Sequence, residues 1–485
     1  MSILALSYVG ELSPWATSTT DTASEVLALV FSNKKECLTT DIPVHVLIGM
    51  FVDHGEKNYN EFLFADFLVR TSDHVVFERT PGGFATQRPQ TLPKYVEFST
   101  SQKFAIPCLD LTREREVLKL NLSESLESVF SQNAFISGTF ATQLEAKIEQ
   151  RVGRGESASA RKCVTVANGT DALEIAYRTV SEKSTVPQKD QVVLVPSFTF
   201  IATASAAKLA GLKVEFLDCA AEKGKYIVEA SEVAARLHRD VVAVVGVSLF
   251  GQIPDWAEYR SVINAFDPKI CLIEDAAQSF GCRGSLTSLT DFSCTSFYPA
   301  KLLGGCGDGG AILCKEADHN LVRSLANHGT GVMRYTHDRI GRNSRLDGIQ
   351  AAILLQKLDK LDLLLHSRRQ IGKVYAHFLK PIAGLSLPLP SDVPSQFTIE
   401  LTPMRRDGLL AFLKDQKVDA RIFYPIPCHQ QHPLRQKSSF PNTTSKCKQV
   451  LSLPAFPFMS KTEILFVVSC IKRYFSKTSP HTSRV

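Results

Sequence analysis

The chain has 485 residues, with 55 Lys and Arg against 49 Asp and Glu and a formal net charge of +6. With 44% apolar residues, 21% charged residues and no long basic run, this is a globular composition with room for two or three domains, and it argues against nucleic-acid binding. The twelve cysteines are scattered singly, without CxxC pairs or Cys/His clusters at zinc spacing, so they read as reduced core thiols and no metal site is expected.

No stretch is long and apolar enough to span a bilayer, so no membrane association is expected. The N-terminus has a short apolar patch but no basic region before it and reads poorly as a signal peptide. A cytoplasmic location is therefore expected.

Residues 1–105 read as an N-terminal extension of unknown role. They contain the short apolar runs Val44–Val52 and Phe62–Val69 and a turn-rich stretch, Thr80–Pro93, but no chemical motif. From Ile106 onward strand and helix patterns alternate. Val117–Phe130 has helical spacing and Ala141–Val152 is a second helix. Lys162–Val166 reads as a strand running into Asn168-Gly169-Thr170-Asp171, followed by an Ala-rich helix, Ala172–Val180.

The strand Val192–Val195 precedes the helix Ile201–Ala210. Further strands follow at Lys213–Leu217, Val241–Val247 and Ile270–Ile273. Such alternation predicts an α/β domain with a largely parallel sheet. Arg345–Leu365 reads as one long amphipathic helix, with Ile349, Ala352, Ile353 and Leu358 among its apolar positions. Gly384–Pro394 is turn-rich, and helices are expected at Asp407–Gln416 and Thr462–Tyr474.

Four motifs could carry chemistry. Gly169 and Thr170 lie where a strand meets a helix, and free N–H groups at a helix N-terminus favour a phosphate. As plain structure the same residues read as a capped helix start, with Thr170 or Asp171 as cap. Asp275 falls just past an apolar strand, where open α/β sheets place ligand groups, with Gln278 three residues on. Lys301 sits in a glycine-rich irregular segment that follows Ser296. A lysine crowded by burial becomes a competent amine, whereas a lone lysine is most often a solvated charge. Asn343 and Arg345 suit phosphate or carboxylate recognition.

In order and spacing these blocks resemble the DegT family of sugar aminotransferases. The resemblance runs from about Ile106 to Tyr474 through ANGTDAL, VPSFTFIATA, SLFGQ with IEDAAQSFG, CTSFYPAKLLGGCGDGGAI and RIGRNSRLDGIQAAILLQKL. It implies the fold type I (aspartate aminotransferase-like) architecture of pyridoxal-5′-phosphate (PLP) enzymes: a large PLP-binding domain at 106–361 with a mostly parallel sheet, and a small C-terminal α+β domain at 362–485. It also implies transamination of a nucleotide-activated keto-sugar with glutamate as donor, for surface polysaccharide synthesis. Within the family the chain resembles members acting on a UDP-2-acetamido-2-deoxy-3-keto-hexuronate.

By the resemblance, Lys301 would bond covalently to PLP and act as acid and base. Asp275 would bind the ring nitrogen, Gln278 the ring hydroxyl and Phe200 the ring face. Gly169, Thr170 and Ser296 would hold the phosphate. Asn343 would reach the cofactor of the other subunit of a homodimer. Arg345 would meet a carboxylate, and Tyr424 would line the sugar site. The chain departs from the family pattern at Phe135, Thr139, Ala300 and Phe423 and in a short loop between Gly281 and Ser293. Dehydratases of the same fold carry histidine in place of the lysine, so Lys301 argues against that activity. A catalytically silent regulatory relative is the remaining alternative, and the complete Lys301, Asp275 and Gln278 set argues against it.

Overall fold

The computed structural model describes residues 106–153, 161–333 and 335–478, and before them the backbone of five short strands. Those strands are β1 (Leu4–Ser7), β2 (Val26–Val30), β3 (Phe67–Arg70), β4 (Val76–Thr80) and β5 (Gly83–Thr86), paired antiparallel in sequence order. The apolar run Val44–Val52 and most of Thr80–Pro93 lie outside the described residues. Contacts divide the chain into two units, Met1–Ala105 with Ser460–Arg473, and Ile106–Met459 with Tyr474–Val485.

The larger unit opens with α1 (Leu111–Leu118), α2 (Leu122–Gln132) and α3 (Thr139–Val152). The single helix expected at Val117–Phe130 is thus two. Lys119 ends α1 in the left-handed region, and the Asn121 side chain caps α2 by accepting from the Glu124 N–H at 3.1 Å. Capping chemistry overrode a continuous apolar spacing here.

A seven-stranded sheet forms the centre. In chain order its strands and helices are β6 (Arg161–Val166), α4 (Gly169–Lys183), β7 (Val192–Pro196), α5 (Ala202–Leu209), β8 (Lys213–Leu217), α6 (Ala230–Arg236), β9 (Val241–Val247), α7 (Trp256–Phe266), β10 (Cys271–Asp275), β11 (Phe292–Ser296), β12 (Gly310–Lys315) and α8 (Glu316–Ala326). The strand order is β6-β12-β11-β10-β9-β7-β8, and only β12 runs antiparallel to its neighbours. β9 is buried along its whole length, as parallel strands covered on both faces must be. One face packs on α4 and α5 through Val193, Val195, Ala176 and Ala206; the other packs on α3 and later helices through Leu144, Leu313 and Leu354.

The long helix expected at Arg345–Leu365 is broken. α9 (Gly348–Asp359) begins where the Asp347 carboxylate accepts the Gln350 N–H at 2.8 Å, and α10 (Leu361–Leu379) begins after a non-helical Lys360. Arg345 therefore lies in the extended approach to α9, not in its first turn. Farther on, β13 (Phe397–Glu400) pairs antiparallel with β14 (Val450–Leu453), accompanied by α11 (Pro403–Asp415) and α12 (Pro441–Gln449); α13 (Lys461–Thr478) is the last described helix in chain order. Among the described residues no helix is long and apolar enough to cross a membrane, every cysteine is a free thiol, and no His, Cys, Asp and Glu cluster could hold a metal.

Candidate active site

The parallel strands deliver the site residues to one end of the sheet. Asp275 is the last residue of β10, paired with Val247 on one side and Cys294 on the other. The expectation put it just past a strand ending at Ile273; the strand runs on to include it, at the carboxyl end of the sheet. The Asp275 carboxylate accepts from Thr203 Oγ1 at 2.8 Å and from the Ala277 N–H at 3.1 Å. Burial pushes its pKa above the ordinary aspartate value, against the lowering effect of both hydrogen bonds and of the Lys301 charge. A carboxyl so placed gains most from a fixed cationic N–H partner.

Lys301 stands in the turn after Tyr298, its own N–H donating to the Tyr298 carbonyl at 2.9 Å. Burial holds its ammonium below the usual lysine range, and Asp275 opposes that shift. The amine is thereby easier to free for nucleophilic or acid–base work.

The segments expected to cradle a phosphate meet by a close backbone approach. Asn168, not Thr170 or Asp171, caps α4, its Oδ1 accepting from the Asp171 N–H at 2.8 Å. The side chain before the motif reaches forward, which leaves the Gly169 and Thr170 N–H groups without an acceptor inside the helix. A methyl group on Gly169 would sit 2.8 Å from Ser296 Cβ. Only glycine lets the helix start lie against the Ser296 hydroxyl. These residues fit a phosphate, and with Lys301 and Asp275 they fit PLP.

Gln278 is buried and spans two sides of the site. Its Oε1 accepts the Phe250 N–H at 2.6 Å, and its Nε2 donates to the Tyr424 hydroxyl at 3.3 Å. The Tyr424 ring lies 5.9 Å from that of Phe200, tilted by 38°. Phe200 keeps 55% of its surface exposed, a face available for stacking. Burial pushes the Tyr424 phenol above its ordinary pKa, and the Asp275 charge adds to this.

Asn343 and Arg345 are joined to each other rather than to this group, Arg345 Nε donating to Asn343 Oδ1 at 2.9 Å. Their segment is nevertheless fastened to the cradle. The Ala167 N–H donates to Ser344 Oγ at 3.1 Å, and Arg342 pairs with Asp171 and Glu174 on α4. Asn343 itself is exposed. A separate open concavity of about 400 Å³, lined by Asn327, Thr330, Met333, Tyr335 and His337 among others, holds none of the expected residues.

Sequence reasoning missed Thr203, which orients Asp275, and Tyr177, whose hydroxyl donates to the Thr203 carbonyl at 2.8 Å. A threonine inside the Ala-rich stretch of α5 carries no signal of its own. Only the sheet brings it beside Asp275.

A phosphate-ready helix start, an unsettled lysine and a strand-end carboxylate on a mostly parallel sheet define a PLP-dependent aminotransferase. The chain belongs to the DegT/DnrJ/EryC1/StrS aminotransferase family, whose model matches residues 118–472. It is 32% identical to the UDP-2-acetamido-2-deoxy-3-oxo-D-glucuronate aminotransferase of Pseudomonas aeruginosa, over 76% of this chain and 99% of that one. It is also 32% identical to the UDP-N-acetyl-3-dehydro-alpha-D-glucosamine 3-aminotransferase of Acidithiobacillus ferrooxidans, over 77% and 99%. Among solved structures, S. venezuelae DesV in complex with ketimine intermediate superposes with a TM-score of 0.69 at 28% identity, covering 79% of this chain and 99% of that chain.

Proposed function

We propose that this protein transfers the amino group of glutamate to the keto carbon of a UDP-2-acetamido-2-deoxy-3-keto-hexuronate, in the making of a surface polysaccharide. The observation that carries this reading is the hydrogen bond from Gln278, three residues after Asp275, to Tyr424, which sets the phenol proposed for the sugar beside the residue proposed for the cofactor ring. The end-to-end similarity to two enzymes named for 3-oxo and 3-dehydro UDP-sugars supports the substrate class.

PLP supplies an aldehyde that exchanges amines and a ring that holds an electron pair. The rest is done by the chain. Lys301 would hold the cofactor and, at its Nζ, take up and return a proton as base and acid. Asp275 would pair with the ring nitrogen, Gln278 with the ring hydroxyl, and Phe200 would cover the ring face. The Gly169 and Thr170 N–H groups and Ser296 bind the phosphate. Arg345, its guanidinium braced on Asn343, takes a carboxylate of the sugar or of glutamate. Tyr424 lines the sugar site.

The protein works as a homodimer, with Asn343 reaching the cofactor of the second copy. The exposure of Val332, Met333, Tyr335 and Ile340 just before Asn343 supports a covered surface there. Sedimentation of the PLP-loaded protein as a monomer would remove the dimer. A panel of UDP- and dTDP-keto-sugars incubated with glutamate, read by 2-oxoglutarate release, tests the activity; the 3-keto-hexuronate is expected to react fastest. Equal or faster turnover of a neutral 4-keto-sugar would sink the substrate assignment.

A further inference from the structure

Outside the residues just assigned, one buried polar pair holds the two aromatic walls of the site together. Ser197 follows β7 and is fixed by its own N–H to the Leu217 carbonyl at 2.9 Å. Three residues later comes Phe200. Opposite lies the segment that runs from Tyr424 to His429. The Cys428 N–H donates to the Ser197 carbonyl at 3.0 Å, and the Cys428 thiol lies 3.3 Å from the Thr199 carbonyl. Ser197 Oγ and His429 Nδ1 are 2.6 Å apart, both residues fully buried.

Ser197 Oγ also accepts the His429 backbone N–H at 3.4 Å. A neutral ring with its hydrogen on Nε2 takes the Ser197 hydroxyl hydrogen at Nδ1. Burial lowers its pKa, opposed by the Asp218 charge, which agrees with a neutral ring. The ring is also wedged between Phe216 and Phe440, at centroid distances of 6.4 and 4.7 Å.

We propose that His429 is a positioning residue for the sugar half of the reaction: its bond to Ser197 clasps the Tyr424 segment onto the Phe200 segment and so sets the separation of the two rings. The inference rests on the reading of Tyr424 as lining the sugar site and of Phe200 as covering the cofactor ring. His429 touches neither substrate nor cofactor; it acts through Tyr424. The keto-sugar, the larger of the two substrates, is the one expected to depend most on that wall.

The two half-reactions can be timed separately in the PLP-loaded enzyme by the visible absorption of the cofactor, first with glutamate and then with keto-sugar. His429→Leu, which keeps much of the ring volume but loses the acceptor, and Ser197→Ala are each expected to slow the keto-sugar half-reaction about tenfold or more, while the glutamate half-reaction stays within about twofold. His429→Asn, which restores an acceptor near the Nδ1 position, recovers most of the loss. In a Tyr424→Ala background His429→Leu costs nothing further. Equal slowing of both half-reactions, failure of Asn to recover activity, or additive losses with Tyr424→Ala would each overturn the clasp alone. Wild-type protein that shows no PLP absorption, or that takes up PLP and aminates no sugar, overturns the function proposed above and the clasp with it.

Discussion

The floor of the site and its rim are built from different material. Asp275 and Gln278 are held by a strand end and the turn after it, are buried, and have their hydrogen-bond partners chosen by the sheet. Arg345 and Tyr424, on the substrate side, stand on irregular or extended segments and are only partly buried. A floor fixed by strand register suits a cofactor that is the same in every relative. A rim carried on loops suits a substrate that differs from one relative to the next.

Substitutions should show that contrast, the floor losing rate and the rim losing selectivity. The largest loss is expected at Lys301. Lys301→Ala should remove the visible absorption of bound PLP and lower turnover by at least about 10²–10⁴-fold from the proton-transfer role alone. Asp275→Ala should cost on the order of 10²–10³-fold in kcat while leaving circular dichroism and thermal unfolding nearly unchanged. Wild-type rates in that variant would break the floor as described.

Thr203→Val should cost about tenfold, the worth of one hydrogen bond to a charged group. Its pH profile has a definite sign. The Thr203 bond lowers the Asp275 pKa, so losing it raises that pKa and moves the acid limb of the rate profile to higher pH. At the rim, Arg345→Lys should raise KM for one carboxylate-bearing substrate about fivefold with little change in kcat, because an ammonium cannot reproduce a bidentate fork.

The smallest effect on rate is expected where the sheet is braced away from the site. Asp291 accepts from Lys315 at 2.6 Å, from Arg260 at 2.8 Å and from the Leu272 N–H at 2.8 Å. Burial pushes its pKa up, but these partners outweigh burial and hold it below the ordinary value. A depressed carboxylate stabilises the fold above its unfolded pKa of about 4 and loses that contribution as pH falls through the lower folded value. Asp291→Asn should therefore cost about 1–3 kcal/mol at neutral pH, cost less in acid, and leave kcat unchanged. Denaturant titrations at two pH values check this.

Much of the floor was legible in the sequence, because its residues sit at strand ends and the strands announce themselves by β-branched runs such as Val241–Val247. The cradle was legible in place but not in detail: Asn168 does the capping that Thr170 or Asp171 was expected to do. The rim was less so. Asp347, two residues after Arg345, caps the start of α9, so an apolar periodicity that ran on smoothly hid a capped boundary. Pairings across long separations, Thr203 with Asp275 and Ser197 with His429, have no local signature at all. They exist only once the sheet has formed.

Glu274 and Asp275 are adjacent carboxylates that point to opposite faces of β10. Asp275 serves the site. Glu274 is satisfied by Ser248, Ser285, Ser293 and the Leu286 N–H at 2.6–3.1 Å. A slip of β10 by one residue would exchange the two. The shorter Asp side chain would then face four donors it cannot span, and the longer Glu would crowd the place of the cofactor ring. The pair therefore acts as an alignment mark: a molecule that folds with β10 misplaced forfeits a buried polar nest as well as its active site, so the mistake is penalised in folding and does not survive as a stable, inactive protein.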